Sequence, residues 1–254
     1  MHPRGFHIST RHIFDSSSWS EPVYHDALGY DQDVSSLYNI ADRIQLFIDA
    51  DDRVYLSYTA FIRDPVVVDL PFGMSPFVCE IDLQTGKLLS RPRRLRDSTF
   101  APCIAEGSHI FAKDNYYYLI TAEGGTEEQH QEWICRSRHS PYGPWELPPL
   151  GVNPIVYNGL DKHVQHTGHM DMVETPDGQW VAVLLAVRPQ YDTSGPVPSQ
   201  LGRETFLVPV RWEDGWPVIN NRCPISITAG DDRSSLALGE KVNRFYSFVP
   251  GQGS

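Results

Sequence analysis

The chain has 254 residues, of which 41% are hydrophobic and 21% charged, and this composition is typical of a soluble globular protein. A net charge of −11 without a basic stripe argues against a nucleic-acid partner, whereas a neutral polar ligand such as a sugar suits it. Apolar runs stay shorter than the roughly 18 residues of a membrane span. The N-terminus shows no signal peptide, which predicts a cytoplasmic protein, or a secreted one if the N-terminus is truncated.

Three β-hairpins follow one another along the chain. The first runs from Ile44 to Tyr58 around a turn at Asp51. The second has strands over residues 106–112 and 116–122, joined by a turn at Asp114 and Asn115, which both tolerate positive φ. A third strand over residues 132–137 completes this unit, and the last hairpin turns at Asp177 before a strand from 180 to 187.

The three turns are evenly spaced. They lie at residues 51, 114 and 177, a constant interval of 63 residues. Repeated units with hairpin content are typical of propeller blades, which have four short strands each. The alternative is three unrelated hairpins that happen to be evenly spaced. We therefore predict an all-β propeller whose blades carry long loops.

Equivalent positions of a propeller converge on its central axis, so the repeat also predicts a site. Eight residues before each turn stand Arg43, Glu106 and His169, and Asp42 precedes the first of these. We expect these side chains to face one shared pocket.

The cysteines show no metal-binding pattern, and the C-terminal segment is predicted to lie outside the propeller. Cys79, Cys103, Cys135 and Cys223 lack C-x-x-C spacing, so buried free thiols are expected rather than a metal site. Residues 1–220 are predicted to form the propeller, and residues 221–254 a C-terminal extension or the remnant of a linker.

Several motifs, in order and correctly spaced over residues 5 to 220, resemble glycoside hydrolase family 43, most closely its β-xylosidase and α-L-arabinofuranosidase members. They are Glu106-Gly107, Ala122-Glu123-Gly124-Gly125-Thr126, Asn153-Pro154-Ile155, residues 168–175, Leu201-Gly202-Arg203-Glu204-Thr205 and Asp214-Gly215-Trp216-Pro217. The resemblance implies a five-bladed β-propeller that inverts the anomeric centre. It implies hydrolysis of β-xylosides or α-L-arabinofuranosides of plant cell-wall xylan or arabinan.

The resemblance also implies residue roles. Glu106 resembles the general acid, His169 the active-site histidine and Arg203 the substrate-binding arginine. The orienting aspartate of the family falls at Arg43, so Asp42, one position early, takes this role only if a β-bulge re-aims it. Asp31 is a weaker candidate for the same role.

The first blade, which carries the general-base aspartate, is predicted to be missing. Two repeat periods before Asp42 fall outside the chain, so we expect about three and a half blades and impaired catalysis. A non-catalytic carbohydrate-binding or interaction propeller is the alternative function. The sequence does not distinguish specificity for xylose from specificity for arabinose, and it does not predict the oligomeric state.

Each predicted site residue has a simpler alternative. Glu106 is a surface residue at a strand start in one interpretation, and Glu123, also followed by glycine, is the rival acid. His169 is either a core histidine or a contributor to a hydrated calcium site, but one histidine is weak evidence for a metal. Arg203 pairs with Glu204 or Asp214 in the simplest view. No cofactor is required, no metal ligand is assigned, and no membrane partner is expected.

Overall fold

The described part of the chain is built from β-strands. The structure is a computed structural model, and it describes residues 5–26, 42–62, 73–99, 102–161, 163–197 and 199–226. Within these ranges there are fifteen strands, two short 3-10 helices and no α-helix. None of the described helices is long and apolar enough to cross a membrane. The predicted all-β class is confirmed.

The strands are numbered in chain order. They are β1 (Phe6–His7), β2 (Val23–Tyr24), β3 (Asp42–Ile48), β4 (Val54–Ile62), β5 (Gly73–Glu80), β6 (Arg93–Arg94), β7 (Ala105–Lys113), β8 (Tyr116–Glu123), β9 (Gln131–Ser137), β10 (Gln165–Glu174), β11 (Trp180–Val187), β12 (Gln190–Asp192), β13 (Gly195–Val197), β14 (Arg203–Glu213) and β15 (Trp216–Ile219). The 3-10 helices cover Ser16–Ser18 and Asn220–Arg222.

Three sheets of blade type hold the predicted hairpins. Their strand orders are β3-β4-β5-β6, β7-β8-β9 and β10-β11-β14-β15, and two-stranded sheets are formed by β1-β2 and β12-β13. Each predicted turn joins the first two strands of a separate sheet, as expected for repeated blades. The turn residues Asp114 and Asn115 have φ of 50° and 62°, which matches the tight hairpin predicted there.

The chain divides into two compact units. Unit 1 comprises Met1–Thr121 and Cys135–Leu147, and unit 2 comprises Ala122–Ile134 and Pro148–Ser254. The division passes through β8 and β9, each of which contributes residues to both units. The predicted boundary at residue 220 stays a prediction.

Unit 1 has two buried apolar clusters between its strands. One cluster combines Tyr55, Val78, Leu95, Ile110, Leu119 and Cys135. The Gln45 amide links two sheets inside this unit, because its Nε2 donates to the Ile110 carbonyl (3.1 Å) and its Oε1 accepts the Ile110 N–H (2.7 Å). The strand that carries Glu106 is thereby fixed to β3.

Unit 2 is built on the β10-β11-β14-β15 sheet. Alternate residues of β11, Ala182, Leu184 and Ala186, are buried, as expected for a strand with one core face. Trp180 on β11 packs edge-on against Trp212 on the neighbouring β14, with ring centroids 5.2 Å apart.

The cysteines are free thiols. Cys79, Cys103 and Cys135 are buried, as predicted, and burial raises the pKa of Cys79 to about 12. Cys223 is only partly buried, so the expectation of burial is wrong for this residue.

Candidate active site

Glu106 is a buried carboxylic acid near the start of β7 in unit 1. Its relative exposure is 4%, and the adjacent Ala105, Gly107 and Ser108 are also buried. Gly107 has φ of 55°, a conformation that glycine adopts without strain. The surface-residue interpretation of Glu106 therefore does not hold. Burial is one of the conditions under which a carboxyl group serves as a general acid.

The strand that carries Asp42 contains the bulge on which its predicted role depends. Asp42 pairs with Thr59, but the next paired residue is Gln45, opposite Ser57, so the register shifts between these pairs. One extra residue re-aims the strand locally. The β-bulge on which the predicted role of Asp42 depends is therefore present, and the catalytic role itself stays a prediction. Asp31 lies outside the described residues.

His169 lies in an irregular part of β10 in unit 2. Register shifts interrupt the pairing with β11 between Gln165 and Gly168 and again between Gly168 and Asp171. His169 itself has φ of 52°, in the left-handed region that few residues other than glycine adopt. Its side chain is half-buried. Such a backbone persists only where neighbouring groups hold it, and it is common in functional sites.

Arg203 begins β14 in the same sheet. It lies opposite Val187, which in turn lies opposite Gln165, so Arg203 is at the end of the sheet where β10 is irregular. Arg203 is exposed, and among the described residues its guanidinium forms no ion pair.

The simple pairing of Arg203 with Glu204 is wrong. The Glu204 carboxylate accepts two hydrogen bonds from the Arg188 guanidinium, at 2.8 and 2.6 Å. Arg188 directly follows β11, and Glu204 lies on the adjacent β14 opposite Ala186, so the two planar groups meet diagonally as a bidentate pair. Arg203 is thereby left available for a ligand.

The convergence of Glu106, His169 and Arg203 stays a prediction. Glu106 belongs to unit 1, whereas His169 and Arg203 belong to unit 2. Within unit 2, the structure brings the latter two into one sheet, at the same end.

Two buried polar residues beside His169 were missed by the sequence analysis. His130 and Glu132 both have 0% relative exposure. Nδ1 of His130 contacts the His166 carbonyl oxygen at 2.9 Å, and a Glu132 carboxylate oxygen accepts the Met170 N–H at 3.0 Å. The only available signal was the polar His-x-Glu pattern at the start of a strand, and this pattern is equally typical of an exposed face.

The pKa of Glu132 is raised well above its usual value of 4.5. Burial is the largest cause, and the nearby Glu123 and Asp171 carboxylates act in the same direction. The backbone N–H groups of Met170 and His169 oppose the shift. The rival acid, Glu123, therefore lies beside a second carboxyl group, in unit 2, with 0% relative exposure.

A metal site is not formed by the described side chains. Within the described ranges, no group of three or more His, Cys, Asp and Glu side chains is placed to hold a metal ion. The expectation that His169 contributes to a hydrated calcium site stays a prediction. We derive no catalytic step from a metal.

A cleft in unit 2 is separate from these residues. It has a volume of about 570 Å³ and includes Pro149, Tyr157, Trp216 and Ile225 in its lining, but none of the predicted site residues. We assign it no part in the candidate active site.

Comparison with known proteins places these features in a family. The model of "Glycosyl hydrolases family 43" matches residues 18–217. A xylan 1,3-β-xylosidase from Vibrio sp. is 35% identical over 214 residues, covering 79% of this chain and 36% of the relative. A non-reducing end α-L-arabinofuranosidase from Bacteroides ovatus is 42% identical over 142 residues, covering 55% of this chain and 25% of the relative.

A solved structure shows the same fold. The GH43 protein BlXynB from Bacillus licheniformis matches with a TM-score of 0.66 and 31% identity, over 87% of this chain and 37% of that protein. The chain thus spans about a third of the length of the relatives that it matches. The fold is part of a five-bladed β-propeller, as the resemblance implied. This chain is a member of glycosyl hydrolase family 43.

Proposed function

We propose that the protein hydrolyses β-xylosides or α-L-arabinofuranosides of plant cell-wall xylan or arabinan, with inversion at the anomeric carbon. Membership of a glycosyl hydrolase family and the names of the relatives support a carbohydrate substrate. The observation that carries the proposal is the burial of Glu106, at 4% relative exposure, within the family motif.

The proposed mechanism uses two carboxyl groups. Inverting hydrolysis needs an acid that protonates the leaving oxygen and a base that activates water, roughly 6.5–9.5 Å apart. We assign the acid to Glu106, because it stands at the acid position of the family motif and its side chain is buried. Asp42 is proposed to orient the acid, and His169 and Arg203 to bind the sugar. None of the described residues is assigned to the base.

The acid assignment predicts a dependence on the leaving group. Replacing Glu106 with Gln removes the donated proton but preserves shape. We expect turnover to fall by about 10²–10⁴-fold for alkyl glycosides and xylobiose, whose leaving groups need protonation. Activated aryl glycosides such as the 2,4-dinitrophenyl compounds should lose far less. Steady-state kinetics on both substrate types measures the difference.

Glu123→Gln is the matched control, because Glu123 is also buried and also precedes a glycine. It should not show the same dependence on the leaving group. If Glu123→Gln shows it and Glu106→Gln does not, the acid is Glu123. NMR of the first product formed tests inversion, since a retaining enzyme releases the opposite anomer. Impaired catalysis by the 254-residue chain stays a prediction. Steady-state kinetics of the unmodified chain on the same glycosides measures it.

A further inference from the structure

The segment from His166 to Asp171 cannot be held by its sheet alone. Two register shifts interrupt its pairing with β11. His166 and His169 both have left-handed backbones, with φ of 54° and 52°. Neither is a glycine, so both conformations are strained, and strain of this kind persists only where other contacts fix the chain. The question is which groups hold the segment that presents His169.

Two side chains at the start of β9 supply these contacts. His130 directly precedes this strand, and Glu132 is its second residue. Nδ1 of His130 lies 2.9 Å from the His166 carbonyl oxygen. Since a carbonyl oxygen only accepts, Nδ1 carries the proton. Glu132 accepts the Met170 N–H at 3.0 Å.

The side chains around these contacts are closely packed. A Cβ atom on Gly168 would lie 2.6 Å from Nε2 of His130, so the His130 ring lies directly against the Gly168 backbone. His130 and Glu132 are both fully buried, and so is Met170. The two side chains therefore bracket His169, one contacting the chain three residues before it and the other contacting the residue after it.

We propose that Glu132, together with His130, is a positioning residue that fixes the His169 side chain for sugar binding. The proposal rests on the proposed function, in which His169 contacts the substrate. Glu132 does not itself touch the substrate in this proposal. It acts through the Met170 N–H, which directly follows His169. A site residue misplaced by about 1 Å costs up to about 10²-fold in rate, so such support affects turnover strongly.

A pair of variants separates positioning from general stability. Glu132→Gln keeps an oxygen that accepts the Met170 N–H, whereas Glu132→Leu removes it at similar size. In the 254-residue chain, we expect hydrogen exchange of the Met170 amide to accelerate by about tenfold or more in Glu132→Leu and to stay near the original rate in Glu132→Gln. Hydrogen exchange followed by NMR on ¹⁵N-labelled protein measures this.

The losses of kcat/KM should parallel the changes in hydrogen exchange of the Met170 amide. We expect kcat/KM for an aryl β-xyloside or α-L-arabinofuranoside to fall by about 10–100-fold in Glu132→Leu, and Glu132→Gln to rescue most of this loss. Gln45→Leu is the matched control, since it also removes an acceptor of a backbone N–H, but in unit 1. Its effect on the exchange of the Met170 amide should not exceed its effect on the free energy of unfolding.

The outcomes distinguish the two proposals. Unchanged Met170 exchange in Glu132→Leu would overturn the positioning role, whatever the activity. Equal kinetic losses in the Gln and Leu variants would also overturn it, because the acceptor would then be irrelevant. An unmodified chain that cleaves neither glycoside would overturn the proposed function instead, and the amide exchange would still decide whether Glu132 holds this segment.

Discussion

At the scale of single residues, the most unusual group is the carboxyl of Glu132. It is fully buried, its pKa is raised well above 4.5, and the main cause is burial, with Glu123 and Asp171 contributing. Packing alone does not require a buried acid, because an apolar residue fills the same space at lower cost. The carboxyl instead accepts a hydrogen bond from the Met170 N–H, which an apolar residue does not.

The raised pKa predicts how stability depends on pH. Below about pH 4.5, Glu132 is protonated in both the folded and the unfolded chain and has no pH-dependent effect. As the pH rises, the unfolded chain releases this proton first, so the folded state loses stability by up to about 1.4 kcal/mol per pH unit. Glu132→Gln, which does not titrate, should therefore gain stability relative to the unmodified chain above about pH 4.5.

Urea unfolding of both proteins between about pH 4 and pH 7 measures this difference. Glu174→Gln is the control, since Glu174 is an exposed residue of the same strand β10. A constant difference between Glu132→Gln and the unmodified chain across this range would contradict the raised pKa.

A second prediction at residue scale concerns Gly168. An added Cβ would lie 2.6, 2.7 and 3.0 Å from three atoms of the His130 ring, and this ring is held by its contact with the His166 carbonyl. Gly168→Ala should therefore cost about 1–3 kcal/mol of unfolding free energy through overpacking. The double variant with His130→Ala should lose less than the sum of the two single changes, because the smaller side chain relieves the clash.

Thermal or urea unfolding of the three variants measures these effects. Additive losses in the double variant would show that the His130 ring is not the atom group that Gly168 accommodates.

At the scale of strands and sheets, polar side chains link two sheets by hydrogen bonds inside unit 1. Gln45 donates to and accepts from the backbone of Ile110, and the two residues are 65 positions apart in sequence. Ser57 Oγ also donates to the Ser108 carbonyl at 3.2 Å. These contacts tie the sheet that carries Asp42 to the strand that carries Glu106, so they bear on the candidate acid.

Gln45→Leu tests this link. The change leaves the N–H and the carbonyl of the buried Ile110 without their side-chain partner, which typically costs about 1–3 kcal/mol. Gln84→Leu is the control, because Gln84 lies exposed in a turn, and it should change stability by less than about 0.5 kcal/mol. The free energy of unfolding from urea titration measures both. Equal, small effects would show that the Gln45 contact does not stabilise unit 1.

At the scale of the whole molecule, the charge balance constrains the substrate. The net charge is −11 and the isoelectric point about 5.3. Electrostatic steering of a neutral sugar is negligible, whereas an acidic ligand is repelled and salt screens this repulsion. A neutral substrate therefore suits the proposed function better than an acidic one.

Kinetics at varied ionic strength tests this preference. For a neutral aryl β-xyloside or α-L-arabinofuranoside, kcat/KM should change by less than about twofold between about 50 and 500 mM NaCl. For an acidic xylo-oligosaccharide, any measurable kcat/KM should rise with salt. A steep decrease with salt for the acidic substrate would reveal a local basic site that the net charge conceals.

The local pattern of the sequence was enough to predict the hairpins. Asp114 and Asn115 favour a tight turn, and aromatic and β-branched residues favour strands, so the second hairpin is where it was predicted. The even spacing of three such turns predicted repeated sheets. The motif around Glu106 pointed to the family, and the structure adds that this residue is buried.

What only the tertiary structure decided are contacts between residues far apart in sequence. His130 and Glu132 contact a segment 36 and 38 residues away, and the sequence could not show which side of β9 is buried. The partner of Glu204 is likewise Arg188, because strand pairing brings them together. Turn chemistry and strand alternation are local and can be read from neighbours. Burial and bulge support depend on which strand packs alongside, and this is fixed only when the chain folds.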